Sequence, residues 1–475
     1  MKSPLTFFIL ALTAFVSITH SHAALEAGTA MVEITPEEWP VTLRGSFNPK
    51  GTASAHDPLN ARSLALRNGE GRVVITVVDI LFLSQDVIDE IKKDAATATG
   101  WATSEMLIAG THTHSAPSLS DENDAPAEVA FRKKAKKNIS LAIQTAIKNL
   151  QPAQAGFTKG ELKEEVFNRR WYLEEGKMPA NPFGEIDTVK MNPSRSTIVS
   201  PAGPTDPKIE VINIQKANGK PLSLLANYAL HYIGGTDGSV SADYFGEFSR
   251  LIANRIGGRT PPQDFLGILS NGTSGDINNI DFDGTRPPRA PYEQIKLVAS
   301  KVADEVWRAT KDLDYEKDLA VGIRERRVTL RYRKPSEALV KRAHEILAMN
   351  EEERKSLPRL ADHYAVRTLG ALEKPDTVDV VIQAIRLGDQ AIFAMPFEVL
   401  VEIGLDLKKE SPLKHTMIIE LANGAFGYLP PPHQHELGGY ETWLGTSKVQ
   451  KDASVILTKH LLEMMGEMAR SAPEK

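Results

Sequence analysis

The chain has no cysteine in 475 residues. That excludes disulfides, a thiolate nucleophile and any cysteine-ligated metal, so a metal here must sit on histidine, carboxylate or another oxygen ligand. Stability must come from a buried core, which a chain of this length can build without covalent staples. Neither charge sign dominates: 56 Lys and Arg face 61 Asp and Glu, a formal net charge of −5. So small an imbalance predicts no broad affinity for nucleic acid or anionic membranes. No Gly-x-Ser-x-Gly elbow, P-loop or Gly-x-Gly-x-x-Gly fingerprint occurs. The usual local signatures of serine hydrolases, nucleotide-phosphate enzymes and dinucleotide-dependent oxidoreductases are therefore missing. There is no internal repeat and no low-complexity linker, and beyond the N-terminus no stretch is apolar enough to span a bilayer.

The N-terminus is informative. Lys2 gives a positive start, residues 5–18 form an almost unbroken apolar run, and Ser21-His22-Ala23 places small residues two apart. This is the pattern of a cleavable secretory signal, and the run is short for a membrane span. The expectation is a signal peptide over 1–23, a secreted or periplasmic location, and a mature domain over 24–475.

Apolar, β-rich runs alternate with helical patterns, which predicts an α/β class. Residues 72–83 (RVVITVVDILFL) read as a strand buried on both faces. Residues 106–109, 208–214, 223–230, 265–269, 378–387, 391–395 and 417–422 read as further strands. Asn218-Gly219 and Gly388-Asp389 mark hairpin turns between two pairs of them. Residues 126–150 and 452–468 read as amphipathic helices, and 336–369 as charged, helical and external. The expected architecture is a single large domain with a mixed β-sheet core flanked by helices.

The chemically capable residues recur just after strands. His112 and His114 follow 106–109, His231 follows 223–230, Asp276 follows 265–269, Glu398 follows 391–395, and Tyr428 follows 417–422. Ligands of open α/β sheets bind at strand carboxyl ends, so the active site is expected there. Two imidazoles two residues apart project to one side of an extended chain. They can share one metal, or bind one metal and one substrate; a hydrogen-bonded surface pair is the plainer alternative. His231 alone reads as a core histidine, and Glu398 as a helix-start carboxylate. A second His-x-His, His433 and His435 in a proline-rich loop, suggests a rim element.

Seven segments, taken in order, resemble the catalytic region of the neutral/alkaline ceramidases: HDPLNARSLAL (56–66), AGTHTHSAP (109–117), FNRRWY (167–172), 206–231, NGTSGDINN (271–279), AMPFE (394–398) and 423–445. The resemblance implies one zinc ion held by His112, His231, Glu398 and Tyr428. It places His114 toward the substrate, Tyr440 as a second active-site tyrosine, and Arg169 as a substrate-contacting arginine. Asp276 is expected to orient a ligand from behind. Asn278 stands where the family carries a serine with a catalytic role, and the Gly-rich continuation of THTHS is replaced by Ala116-Pro117-Ser118. The function these features imply is hydrolysis of an N-acyl amide by metal-activated water, on a small-molecule, lipid or glycan substrate. An esterase or lactonase, an N-acyl-sugar deacylase, and a relative that binds without turnover are the alternatives.

Overall fold

Most strands of this chain carry apolar residues on both faces, and such strands must be covered on both sides. A computed structural model describes residues 24–120, 124–257 and 265–470; the expected signal peptide lies outside the described residues. The larger sheet has eight strands: β1 (Glu26–Glu33), β2 (Asn60–Asn68), β3 (Gly71–Val78), β4 (Met106–Gly110), β5 (Gln151–Glu161), β6 (Lys208–Lys216), β7 (Pro221–Tyr228) and β8 (Leu266–Asn271). Their spatial order is β8-β7-β6-β5-β1-β2-β3-β4. Pairing is antiparallel except at the two edges, where β7/β8 and β3/β4 run parallel. A second sheet joins β9 (Val321–Arg331), β10 (Thr377–Leu387), β11 (Gln390–Ala394) and β12 (His415–Ile419) in that order, with β11/β12 parallel.

Alternation along the strands assigns each residue to a layer. Val73, Ile75 and Val77 of β3 meet Ile385, Ile392 and Met417 of the second sheet in a shared inner core. Val74 and Val78 point the other way, toward α1 (Gln85–Thr99) and α2 (Pro126–Lys148). The other half of that outer face is covered by α3 (Asp243–Gly257) and α4 (Glu293–Ala309). Two charged helices, α5 (Glu337–Ala348) and α6 (Ala361–Glu373), pack on each other through Ala343, Ile346, Ala361 and Ala365. The second sheet is backed by α7 (Val401–Glu410) and α8 (Ala453–Arg470). The expected α/β domain therefore forms, with its sheet divided in two. Among the described residues no helix is long and apolar enough to cross a membrane.

The large sheet curls until its edge strands β4 and β8 touch. Residues 420–423 close the gap: the Glu420 N–H donates to Asn271 O at the end of β8 (3.4 Å), and Leu421 O accepts from Gly110 N–H (3.3 Å). The Asn423 N–H donates to Ile108 O of β4 (2.9 Å). Leu421 and Asn423 hold left-handed φ of 50° and 62° to make these bonds, a strain of about 1–3 kcal/mol per residue.

The strand expected over 72–83 stops at Val78. Asp79 turns the chain out of the sheet; both its carboxylate oxygens accept from Arg62 Nη1 at 2.7 Å, and Oδ2 also accepts from the Asn60 N–H. Arg62 and Asp79 are both buried. Removing one partner of a buried pair leaves an uncompensated charge, which costs about 3–5 kcal/mol. Arg62→Met should therefore lower unfolding stability by about that amount, read as a fall in the denaturant midpoint. A midpoint equal to wild type would show that the pair contributes nothing.

Candidate metal centre

The turn after Val78 builds the first ligand position. Thr111 N–H donates to Val78 O and His112 N–H to Ile80 O, both at 2.9 Å, and His112 takes a left-handed φ of 71°. Its Nδ1 lies 3.0 Å from the Leu81 carbonyl oxygen. A carbonyl only accepts, so Nδ1 carries the proton and Nε2 keeps its lone pair. His231, just past β7, repeats the device: Nδ1 is 3.0 Å from Ser274 O. The two freed Nε2 atoms face each other at 3.0 Å, and His114 Nε2 is 3.2 Å from that of His112. Side-chain nitrogens of the three histidines all lie within 4.8 Å of one another. The His114 ring stacks on Tyr232 (3.6 Å between centroids). Gly45, at φ +106°, makes room for it: a Cβ there would lie 2.4 Å from the His114 ring.

The carboxylate arrives from the second sheet. Glu398–Val399 pairs in parallel with Tyr428–Leu429, which sets Glu398 and Tyr428 side by side. Glu398 Oε2 is 3.3 Å from His112 Nε2 and 3.9 Å from His231 Nε2. That oxygen atom is buried and has no hydrogen-bond donor. Converging lone pairs around a carboxylate oxygen without a donor repel one another unless a cation sits among them, so these residues fit a divalent metal.

Electrostatics agrees with that fit. Burial, then the neighbouring His112 and Arg169, hold His114 and His231 well below the ordinary imidazole value of 6.5. Burial alone would raise Glu398, but His112, Tyr428 and Arg169 keep it below the usual carboxylate range. Burial pushes the Tyr428 phenol well up, with Glu398 adding to the rise and Arg169 opposing it. Burial also takes Tyr440 up to about 12.

Arg169 is the strut behind the site. Its Nη2 donates to Tyr428 Oη (3.0 Å) and its Nε to Glu441 Oε1 (2.8 Å). Glu441 Oε2 accepts from Arg170 Nη1 at 2.7 Å. Glu441 is buried and held ionised: burial raises it, and the two arginines outweigh that. Reading FNRRWY gave no hint of this partner, although two adjacent arginines entering a core need a buried acid. Ser274 was a second omission. Its Oγ lies 3.2 Å from His231 Nδ1 and donates to Glu420 Oε1 at 2.6 Å. Ser274 is fully buried between a histidine and a carboxyl group.

The remaining candidates lie elsewhere. Asp276 Oδ1 accepts from the Val401 N–H at the start of α7, and Oδ2 from Asn168 Nδ2, both at 2.8 Å. It fixes the backbone on either side of Glu398 and Arg169 and touches no histidine of the cluster. Asn278 donates to Asn192 Oδ1 (2.6 Å) and pairs with Phe167 in a two-residue strand. It does not line the metal cavity. The second His-x-His is not a rim. His433 pairs with Glu402 at 2.8 Å, and neither it nor His435 lines that cavity. Their short helix instead offers Gln434 to Arg170. The cavity has a volume of about 310 Å³; His112, His114, Glu398, Tyr428 and Tyr440 line it, with Phe47, Phe82 and Leu421 among its apolar lining.

Residues 25–283 match the family described as neutral/alkaline non-lysosomal ceramidase, N-terminal. The chain belongs to this family. The matched span carries His112, His114 and His231; Glu398 and Tyr428 lie beyond it. The chain is 24% identical over 300 residues to neutral ceramidase B of Dictyostelium discoideum, and 24% over 301 residues to neutral ceramidase A of the same organism. Each alignment takes in 60% of this chain and 40% of the relative, so this chain spans well under two thirds of those proteins. In three dimensions it resembles the neutral ceramidase from Pseudomonas aeruginosa, with TM-score 0.70, 15% identity, and 95% of this chain on 76% of that one. A ceramidase complexed with C2 gives TM-score 0.71 at the same identity and coverage. These structural likenesses place the α/β fold among those of neutral ceramidases.

The depressed histidines have a consequence for the metal-free protein. The folded state refuses protons that the unfolded chain takes up below about 6.5, so their stabilising contribution is present above that pH and lost as pH falls through it. Metal-stripped protein should lose up to about 1.4 kcal/mol per pH unit for each imidazole on acidification. Denaturant midpoints at pH 7 and 5.5 measure this, and His231→Gln should flatten the slope. An unchanged slope in that variant would contradict it.

Proposed function

We propose that the chain is an exported, zinc-dependent hydrolase that cleaves an N-acyl amide bond. The observation that carries this reading is the convergence of three imidazole nitrogens beside the unsatisfied Glu398 oxygen, with His112, His114 and Glu398 lining a cavity, in a chain of the ceramidase family. His112, His231 and Glu398 would hold the ion, with Tyr428 completing the set. A bound zinc ion would polarise the scissile carbonyl and bring the pKa of a water molecule to about 7.

The protein's own groups divide the remaining work. His114, uncharged because it is buried beside His112, can accept a proton at Nε2 and pass it to the leaving amine. Tyr440, protonated at every physiological pH because burial takes it to about 12, can donate a hydrogen bond to the developing oxyanion. Arg169 holds the Tyr428 hydroxyl and adds a fixed positive charge behind it. A cavity of about 310 Å³ is at the small end for ligand sites, so the substrate is a compact N-acyl amide, or one that leaves its chain in solvent.

Metal analysis tests the centre. Purified wild type should carry one zinc per chain, and His112→Ala and Glu398→Ala should each lose it; full occupancy in both variants would remove the centre. Turnover of matched acyl amides and acyl esters then fixes the bond. Tyr440→Phe should lower kcat about 100-fold or more, the usual loss for one oxyanion donor. A kcat within twofold of wild type would take Tyr440 out of the reaction.

A further inference from the structure

The metal cavity shares a wall with a second cavity of about 280 Å³; Arg367, Gly445 and Lys448 line both. The second also takes Arg333 and Lys374 into its lining and includes no carboxylate. In the metal cavity the one carboxylate is Glu398, already committed to the histidines. Four cations thus gather at one wall of a protein whose net charge is −5. Among the described residues none of the four is ion-paired, and their partners are neutral. Arg333 Nη1 donates to Thr442 O (2.7 Å) and Ser447 O (3.1 Å). Arg367 Nη1 donates to Tyr364 Oη (3.3 Å) and Thr446 Oγ1 (3.4 Å). Its guanidinium carbon lies 5.0 Å from the ring centroids of both Phe47 and Tyr364. Burial, then Arg367 and Lys374, push the Lys448 pKa down against a smaller opposing pull from Glu398, a cost that a bound anion would relieve.

The cluster is close to the chemistry. The Phe47 ring under Arg367 is 6.1 Å from Tyr440, and Tyr440 is 5.4 Å from Tyr428. We propose that the Arg367–Lys448 wall, reinforced by Arg333 and Lys374, binds an anionic group of the substrate, a carboxylate or a phosphate, within a few bonds of the scissile amide. This rests on the amide-hydrolase reading and narrows it, selecting acidic N-acyl compounds over neutral ones. Charge-assisted hydrogen bonds from partly buried cations supply the selection. Arg367 is held for the task by two rings and two hydroxyls, and Lys448 is the adaptable point charge beside it.

The test separates binding from turnover. Zinc-loaded protein is titrated calorimetrically with hexanoyl-glycine, hexanoyl-phosphoethanolamine and neutral hexanoyl-ethanolamine, and with N-hexylsuccinamic acid and neutral N-hexylbutanamide for charge on the acyl half. Hydrolysis of each is followed in parallel. At least one acidic compound should bind about tenfold or more tightly than its neutral counterpart, and the better acid names carboxylate or phosphate. The ratio should fall to about one in the Arg367→Gln, Lys448→Met double variant, with melting temperature checked. Lys374→Gln, at an exposed position, should lower the ratio partway and carries the test if the double variant does not fold. A ratio of one or less in wild type, or a ratio that survives the substitutions, would overturn the proposal. Anion-selective binding lost in the variants, with no hydrolysis of any compound, leaves the anion site standing and removes the amidase reading. Hydrolysis of neutral amides without anion preference does the reverse.

Discussion

Everything at the candidate metal centre depends on a closure that no single strand provides. His112 stands at the end of β4 and His231 at the end of β7, near opposite edges of an eight-stranded sheet. In a flat sheet they would be separated by the full width of the intervening strands, at about 4.8 Å per step. Their Nε2 atoms are 3.0 Å apart because the sheet curls and residues 420–423 bond to both edges. The same segment carries Glu420, whose carboxyl accepts from the Ser274 hydroxyl and the Val399 N–H. One short stretch thus ties together the backbone that orients His231 and the backbone that carries Glu398.

Polarity around the site is arranged in nested layers. The histidines are aimed by carbonyls, which fix their tautomers without adding charge. Outside them Arg169, Arg170 and Glu441 form a buried charged triad that steadies Tyr428. Such a triad is a poor source of stability, since its desolvation offsets its attraction, but it is stringent about geometry. Asp276 belongs to the same framework: burial takes it to about 6 while the Val401 N–H and Asn168 work against that rise. Its contribution is to the position of the chain rather than to any reacting atom.

The sequence was legible where local pattern and tertiary environment agreed. The hairpins at Asn218-Gly219 and Gly388-Asp389 form as their turn residues require, and the THTHS loop leaves a fully buried strand as expected. Two kinds of feature escaped. Strands such as β5, with Gly156 and Gly160, and β9, an edge strand with Arg324, Glu325, Arg326 and Arg327 in succession and little burial, lack a clean apolar alternation. Partners distant in sequence left no local signal: Glu441 lies 272 residues from Arg169, and Glu420 lies 146 from Ser274. The charged run 336–369 was readable as helical, yet it divides around Glu351–Arg354 into helices that pack on each other, the second also carrying Arg367 to the cavity wall. Asp79 shows the remaining difficulty, since an apolar run continues on both sides of the residue that ends its strand.

The sheet edges carry one more consequence. An uncovered edge strand presents a row of idle peptide groups and invites pairing with another chain. Here β4 and β8, the two edges, give part of those groups to residues 420–423. The bonds that assemble the site therefore also blunt the surfaces most prone to self-association. A lesion in that short segment would expose strand borders and pull the histidine cluster apart, so the protected edges and the clustered imidazoles are maintained by the same few hydrogen bonds.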